Sequence, residues 1–147
     1  MGSEPYYYFV KYDPDVNAAL QELRAREFKA GRYNPVIPHL DFPISPDSPA
    51  PGAQHKSIRH ALKAADADGT RSILDLDHIS DTADCGAVAP LPPEGLDRLF
   101  GTQQPTHDMI EQSDELFENI ERGQGFYIVA YRDGKPDELN FVGYSCD

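Results

Sequence analysis

The 147-residue chain is expected to fold as one α+β domain over 1–147: an antiparallel sheet, made from an N-terminal strand and a C-terminal hairpin, packed by three to four helices. Three observations predict this. Residues 6–12, Tyr-Tyr-Tyr-Phe-Val-Lys-Tyr, are dense in aromatic and β-branched side chains that suit a pleated, half-buried surface. Residues 126–132 and 139–144 are two similar runs flanking Asp133-Gly134, a dipeptide whose backbone preference matches the twist of paired strands. Between these ends, apolar residues recur at helical spacing. The length suits one core, which would bury roughly 68–70% of the surface exposed by the unfolded chain.

In chain order, residues 6–12 read as a strand with both faces covered. Asp13-Pro14 reads as a helix N-cap followed by proline at the first helical position. Val16, Ala19, Leu20 and Leu23 then form one stripe, and Gly31 supplies the stop. Arg24, Arg26, Lys29 and Arg32 crowd the C-terminal half, where the helix dipole favours cations. Residues 33–54 hold six prolines (Pro35, Pro38, Pro43, Pro46, Pro49 and Pro51), a density that excludes regular structure. Val36, Ile37, Leu40, Phe42 and Ile44 nevertheless require a surface. The first half of this long loop is expected to pack along the body, and 45–53 to be the mobile part.

A short helix is expected over 55–67, with Ile58, Ala61, Leu62 and Ala65 on one face and Asp68-Gly69 at its end. Residues 72–79 fit either a strand alternating Leu74/Leu76 with Asp75/Asp77 or a helical turn capped by Ser72, so a short irregular element is expected. Residues 87–93 read as loop. Residues 94–100 read as a helix with Leu96, Leu99 and Phe100 inward, closed by Gly101. Thr106 caps the most periodic helix, over 107–122, and Pro136 and Glu138 are able to widen the final hairpin loop.

Charge is the main functional signal. Residues 66–122 carry 14 Asp/Glu against 3 Lys/Arg, a net of −11 within a chain total of −12. On a helical wheel Met109, Ile110, Ser113, Leu116, Phe117 and Ile120 fall on one arc, and Asp108, Glu111, Asp114, Glu115, Glu118 and Glu121 on the opposite one. Like charges three or four residues apart occur six times; Glu118 and Arg122 alone make a favourable pair. At ~0.2–0.5 kcal/mol each, the repulsions would cost roughly 1–3 kcal/mol before screening. Such a face ordinarily serves solubility or pairs with the chain's own cations, here the basic end of the first helix. The sharper reading is a docking surface, formed by Glu111, Asp114, Glu115, Glu118 and Glu121, for a basic protein. The function expected on that reading is an immunity-like, inhibitory or regulatory module, not an enzyme.

Other classes find less support. The negative charge repels phosphate backbones, so no nucleic acid is expected, and tyrosines 6–12 would stack on bases only beside a basic groove. No apolar run approaches the ~20 residues that cross a bilayer, the start lacks a signal peptide's basic and apolar regions, and a cytoplasmic location is expected. Cys85 and Cys146 are expected to be two free thiols. Residues 64–75 superficially match a calcium loop, but Ala64 and Asp75 stand where ligating Asp and bidentate Glu are needed. His55 and His60 are five apart with no Cys-x-x-Cys, while His39, His78 and His107 are scattered, so no metal or other cofactor is expected. Gly123-Gln124-Gly125 reads as a helix stop, not a nucleotide loop. The rival function is a small-molecule binder or hydrolase-type enzyme using Asp75, Asp77 and His78, with Asp81 beyond, under a 33–54 lid. A homodimer paired through the hairpin is the third possibility.

Overall fold

Asp133 and Gly134 have φ of 53° and 76°, the paired positive values of a type I′ turn, and they close the hairpin that organises the sheet. In this computed structural model, which describes residues 4–37, 43–118 and 120–145, the hairpin strands are Gly125–Arg132 and Lys135–Tyr144. Numbering elements in chain order, these are β4 and β5. They are preceded by β1 (Pro5–Lys11), α1 (Val16–Ala30), α2 (Ile58–Ala65), β2 (His78–Ile79), β3 (Ala87–Pro90), α3 (Pro93–Phe100) and α4 (His107–Glu111). Of the sequence features named above, Pro38, His39, Leu40, Phe42 and Cys146 lie outside the described residues.

The fold is α+β, with strand order β1-β5-β4-β3-β2. β1, β5 and β4 pair antiparallel, as expected, but β4–β3 and β3–β2 are parallel, so the sheet is mixed. The parallel half comes from a segment expected to be loop. Ala87, Val88 and Ala89 are all buried. A short parallel strand covered on both faces carries no alternation to reveal it, and Pro90 and Pro92 mask it further. Opposite Ala130 and Tyr131 the register shifts from Glu138 to Pro136, leaving Asp137 bulged; its carbonyl accepts the Tyr12 N–H at 3.0 Å.

Within the sheet β5 lies between β1 and β4, and β3 pairs with β4 only over Gly125–Tyr127; the sheet's outer strands are β1 and β2.

Each sheet face carries its own core. On the first, Tyr6, Tyr8, Val88, Leu139 and Phe141 meet Ala19, Leu20 and Leu23 of α1, with Ile44, Ile73 and Leu76. On the second, Ile128, Ala130 and Val142 meet Ile110 and Leu116, with Tyr7, Phe9, Leu96, Leu99, Phe100, Phe117 and Ile120 around them. The aromatic strand is thus covered on both sides, Tyr6 and Tyr8 facing one way and Tyr7 and Phe9 the other. A third cluster (Tyr33, Ala61 and Leu74, with Phe28, Val36, Ile58 and Leu62) seats α2 beside the end of α1.

The cap of α1 is Asp15, whose carboxylate accepts the Ala18 N–H at 3.0 Å, not Asp13, which caps the turn before it through the Asp15 N–H at 2.9 Å. Ser57 caps α2, and residues 72–79 divide into a 3-10 turn (Ile73–Asp75) and β2. Residues 45–53, expected to move freely, are tied down. Gly52 and Ala53 donate N–H bonds to the Ala30 and Lys29 carbonyls, at 2.8 and 3.2 Å, and Arg32 donates to the Ser48 and Pro46 carbonyls. These bonds occupy carbonyls that the end of α1 would otherwise leave unpaired. Among the described residues no helix is long and apolar enough to cross a membrane.

Candidate functional site

The acidic segment starts as its sequence predicts and then departs from it. Thr106 accepts the Met109 N–H at 3.3 Å and opens α4, but the helix stops at Glu111 instead of running to 122. Bonds of the i+3 kind follow, from Ser113 to Ile110, Glu118 to Glu115, and Ile120 to Phe117. The rigid helical rod is therefore absent. The physical reason is in the sequence: six like-charge repulsions, with acidic residues toward a C-terminal end that favours cations. The amphipathic division survives without the helix. Leu116 is buried, Phe117 packs against the Tyr7 and Tyr144 rings at 6.3 and 5.7 Å, and Ile120 joins the same cluster. Glu111, Asp114, Glu115, Glu118 and Glu121 are all exposed.

Glu111 meets His107 Nε2 at 3.3 Å, and among the described residues no Lys or Arg pairs with Asp114, Glu115, Glu118 or Glu121. The cations of α1 and of the turn after it lie against the other sheet face, where Arg26 and Arg32 both hold the buried Glu27, and Arg24 donates to the Leu74 carbonyl. Counted over residues 91–122, the layer on the second face has 8 carboxylates against 2 arginines.

His107 was not singled out in sequence, yet it anchors this layer. Its ring stacks on Phe9 at 3.8 Å between centroids, and its Nδ1 lies 2.7 Å from Glu138 Oε1, linking α4 to β1 and β5. The one sequence signal was Glu111 four residues on. His107, Asp108 and Glu111 offer ligand atoms within 4.8 Å of one another. His107 Nε2 faces Glu111 and Nδ1 faces Glu138, so both ring nitrogens already meet carboxylates.

In the same layer a groove of about 390 Å³ runs between α3 and the side chains of Leu116 and Ile120, floored by Ile128 and Val142 of the sheet. A second cleft, of about 470 Å³, lies where β1 meets α1 and has mixed charge, with Lys11 and Arg26 beside Asp13, Glu22 and Glu138. Comparison with protein-family models, with curated proteins and with solved structures finds no match. The functional reading therefore stands on this chain's own geometry.

The rival constellation is not assembled. Asp75 is turned inward, accepting the Thr70 N–H and Oγ1–H at 2.8 Å and the Arg71 N–H at 3.0 Å. Asp77 and His78 are exposed and pair with each other. Neither large cleft is lined by any of the three, and the flanking loop braces the turn instead, Asn34 donating to the Thr70 and Gly69 carbonyls. Asp75 is a staple of the 69–75 turn.

Burial raises the Asp75 pKa above the ordinary carboxylate value, against the lowering effect of its Thr70 and Arg71 donors. A raised native value means that the folded state holds the proton more tightly. Its stability contribution is then full below the unfolded value and lost as pH rises through the native one. Asp75→Asn removes this titration and sets an amide donor against the Arg71 N–H. Urea unfolding between about pH 3.5 and 7 should show a wild-type advantage of roughly 1–3 kcal/mol at acid pH that narrows as pH rises. An advantage that widens instead would mean the donors outweigh burial.

Proposed function

We propose that the chain is a non-enzymatic binding module that captures a basic protein on its second sheet face, as an inhibitor, an immunity-like protein or a regulatory subunit does. The observation that carries this reading is the set of exposed carboxylates at Asp114, Glu115, Glu118 and Glu121, with Glu111 beside them, none of which has a Lys or Arg partner among the described residues. Like charges gathered on one face repel one another, and a cationic partner relieves that repulsion while being steered toward the face by its field. The same field repels phosphate backbones, so nucleic acid is not the client. A cytoplasmic setting belongs to the same proposal, since Cys85 is an exposed free thiol suited to a reducing compartment.

The test uses the whole chain as bait at low salt, beside a variant with Glu111, Asp114, Glu115 and Glu118 all changed to Lys. For a basic protein retained by the wild type, association measured by stopped flow should slow at least about tenfold between roughly 0.05 M and 0.5 M salt. The variant should lose the fast phase. A rate indifferent to salt and to the four reversals rejects the proposal.

A further inference from the structure

We infer that the groove between α3 and the side chains of Leu116 and Ile120 receives the apolar face of a basic amphipathic segment of the partner. This rests on the acidic-layer reading above and specifies the chemistry of what docks there. Leu91, Leu99, Leu116 and Ile120 form its walls over a floor of Ile128 and Val142, a concavity of about 390 Å³. That volume falls in the roughly 300–1,000 Å³ range of sites that take a sizeable ligand. The floor is fully buried, whereas Leu91, Leu99 and Ile120 remain half-exposed and present apolar surface at the opening.

Charge around the groove selects the occupant. The groove's own charged lining is balanced, Glu94 with Arg98, but residues 91–122 as a whole carry a net of −6, and the exposed Glu115 and Glu121 adjoin the wall residues Leu116 and Ile120 in the chain. An apolar trough with an acidic surround favours a chain segment with leucine-like side chains on one side and cations on the other. It disfavours fatty acids and other anionic amphiphiles. A helix with anchors at i, i+3, i+4 and i+7 is the element that presents both together. Gly95 keeps the trough open. It lines the groove from within α3, where glycine costs roughly 1 kcal/mol of helix propensity against alanine. The atoms nearest to a Cβ there belong to the Leu91 side chain, at 3.3 Å.

Gly95→Leu therefore fills the groove from inside while favouring the helix, at the cost of shifting the Leu91 side chain; its circular-dichroism spectrum and a cooperative melt should show it folded like the wild type. The probes are three labelled peptides: Lys/Leu with leucines at helical spacing, Lys/Gly of equal charge, and uncharged Gln/Leu. The wild-type chain should bind Lys/Leu at least tenfold more tightly than Lys/Gly. Gly95→Leu should erase that difference and leave Lys/Gly binding unchanged. Equal binding of Lys/Leu and Lys/Gly by both proteins overturns the groove and leaves the acidic reading standing. Failure of both cationic peptides to bind at low salt overturns both. Gln/Leu binding as tightly as Lys/Leu overturns the basic occupant.

Discussion

Gly31→Ala should unfold at a much lower denaturant concentration than the wild type. Gly31 ends α1 at φ 76°, where its N–H reaches the Glu27 and Phe28 carbonyls. A Cβ there would lie 2.3 Å from the Gly52 carbonyl oxygen and 2.7 Å from its carbon. Gly52 cannot simply withdraw, because its own N–H is bonded to the Ala30 carbonyl at 2.8 Å, with Ala53 bonded beside it. The left-handed conformation costs an L-residue about 1–2 kcal/mol, and overpacking against backbone about 1–3 kcal/mol more. A total of roughly 2–5 kcal/mol is a large part of the 5–15 kcal/mol that holds a typical domain together. Gly134→Ala separates the two terms. Gly134 also sits at φ 76° but has open space around it, so only the conformational term applies. Guanidinium midpoints for the two variants should differ clearly. Equal midpoints would mean that residues 51–53 are not seated on α1 in solution.

That contact shows where local sequence stops being informative. Gly31 as a helix stop, Asp133-Gly134 as a hairpin turn, Gly101 closing α3 and Thr106 opening α4 were all legible, because each is decided by the conformational needs of one or two residues. That Gly31 also faces Gly52 was not, since the partner arrives through a proline-rich loop with no periodicity. β3 was hidden for a related reason: a buried parallel strand has no polar face, and only its neighbours, β4 and β2, define it. In 107–122 the division into apolar and acidic sides was legible but the secondary structure was not. The repulsions could be counted in the sequence. Whether a helix bears them depends on how well its apolar side packs, and here turns bring Leu116, Phe117 and Ile120 to the sheet as readily. His107 was overlooked because Glu138 and Phe9, the residues that fix it, are distant in the chain. The helix dipole accounts for the cations near the end of α1 in the sequence, whereas in the structure Glu27, inside that helix, holds Arg26 and, just past its end, Arg32.

Arg32→Ala should be the costliest change among the charged residues. The Glu27 side chain is 1% exposed, and its Oε2 takes Arg32 Nη1 at 2.8 Å and Arg26 Nε at 3.1 Å. Arg26 is 44% exposed and screened by water, while Arg32 is 15% exposed and is the buried charge's principal partner. Its other N–H groups hold the Ser48 and Pro46 carbonyls, so one guanidinium ties α1 to the loop. Removing it leaves a carboxylate inside the protein with one half-solvated partner, at a cost of about 3–5 kcal/mol. Arg32→Lys should recover only part of this, because a single ammonium cannot span acceptors that a planar fork reaches together. The decisive measurement is a double-mutant cycle with Glu27→Gln by chemical denaturation. Neutralising the carboxylate should restore much of the Arg32→Ala loss, giving strong non-additivity. A loss near 1 kcal/mol that simply adds to that of Glu27→Gln would mark the pair as an ordinary surface contact. Because α1 lies across the sheet from the acidic layer, folded Arg32→Ala protein should still show the salt-sensitive capture proposed for that layer, which separates this ion pair's part in stability from any part in binding.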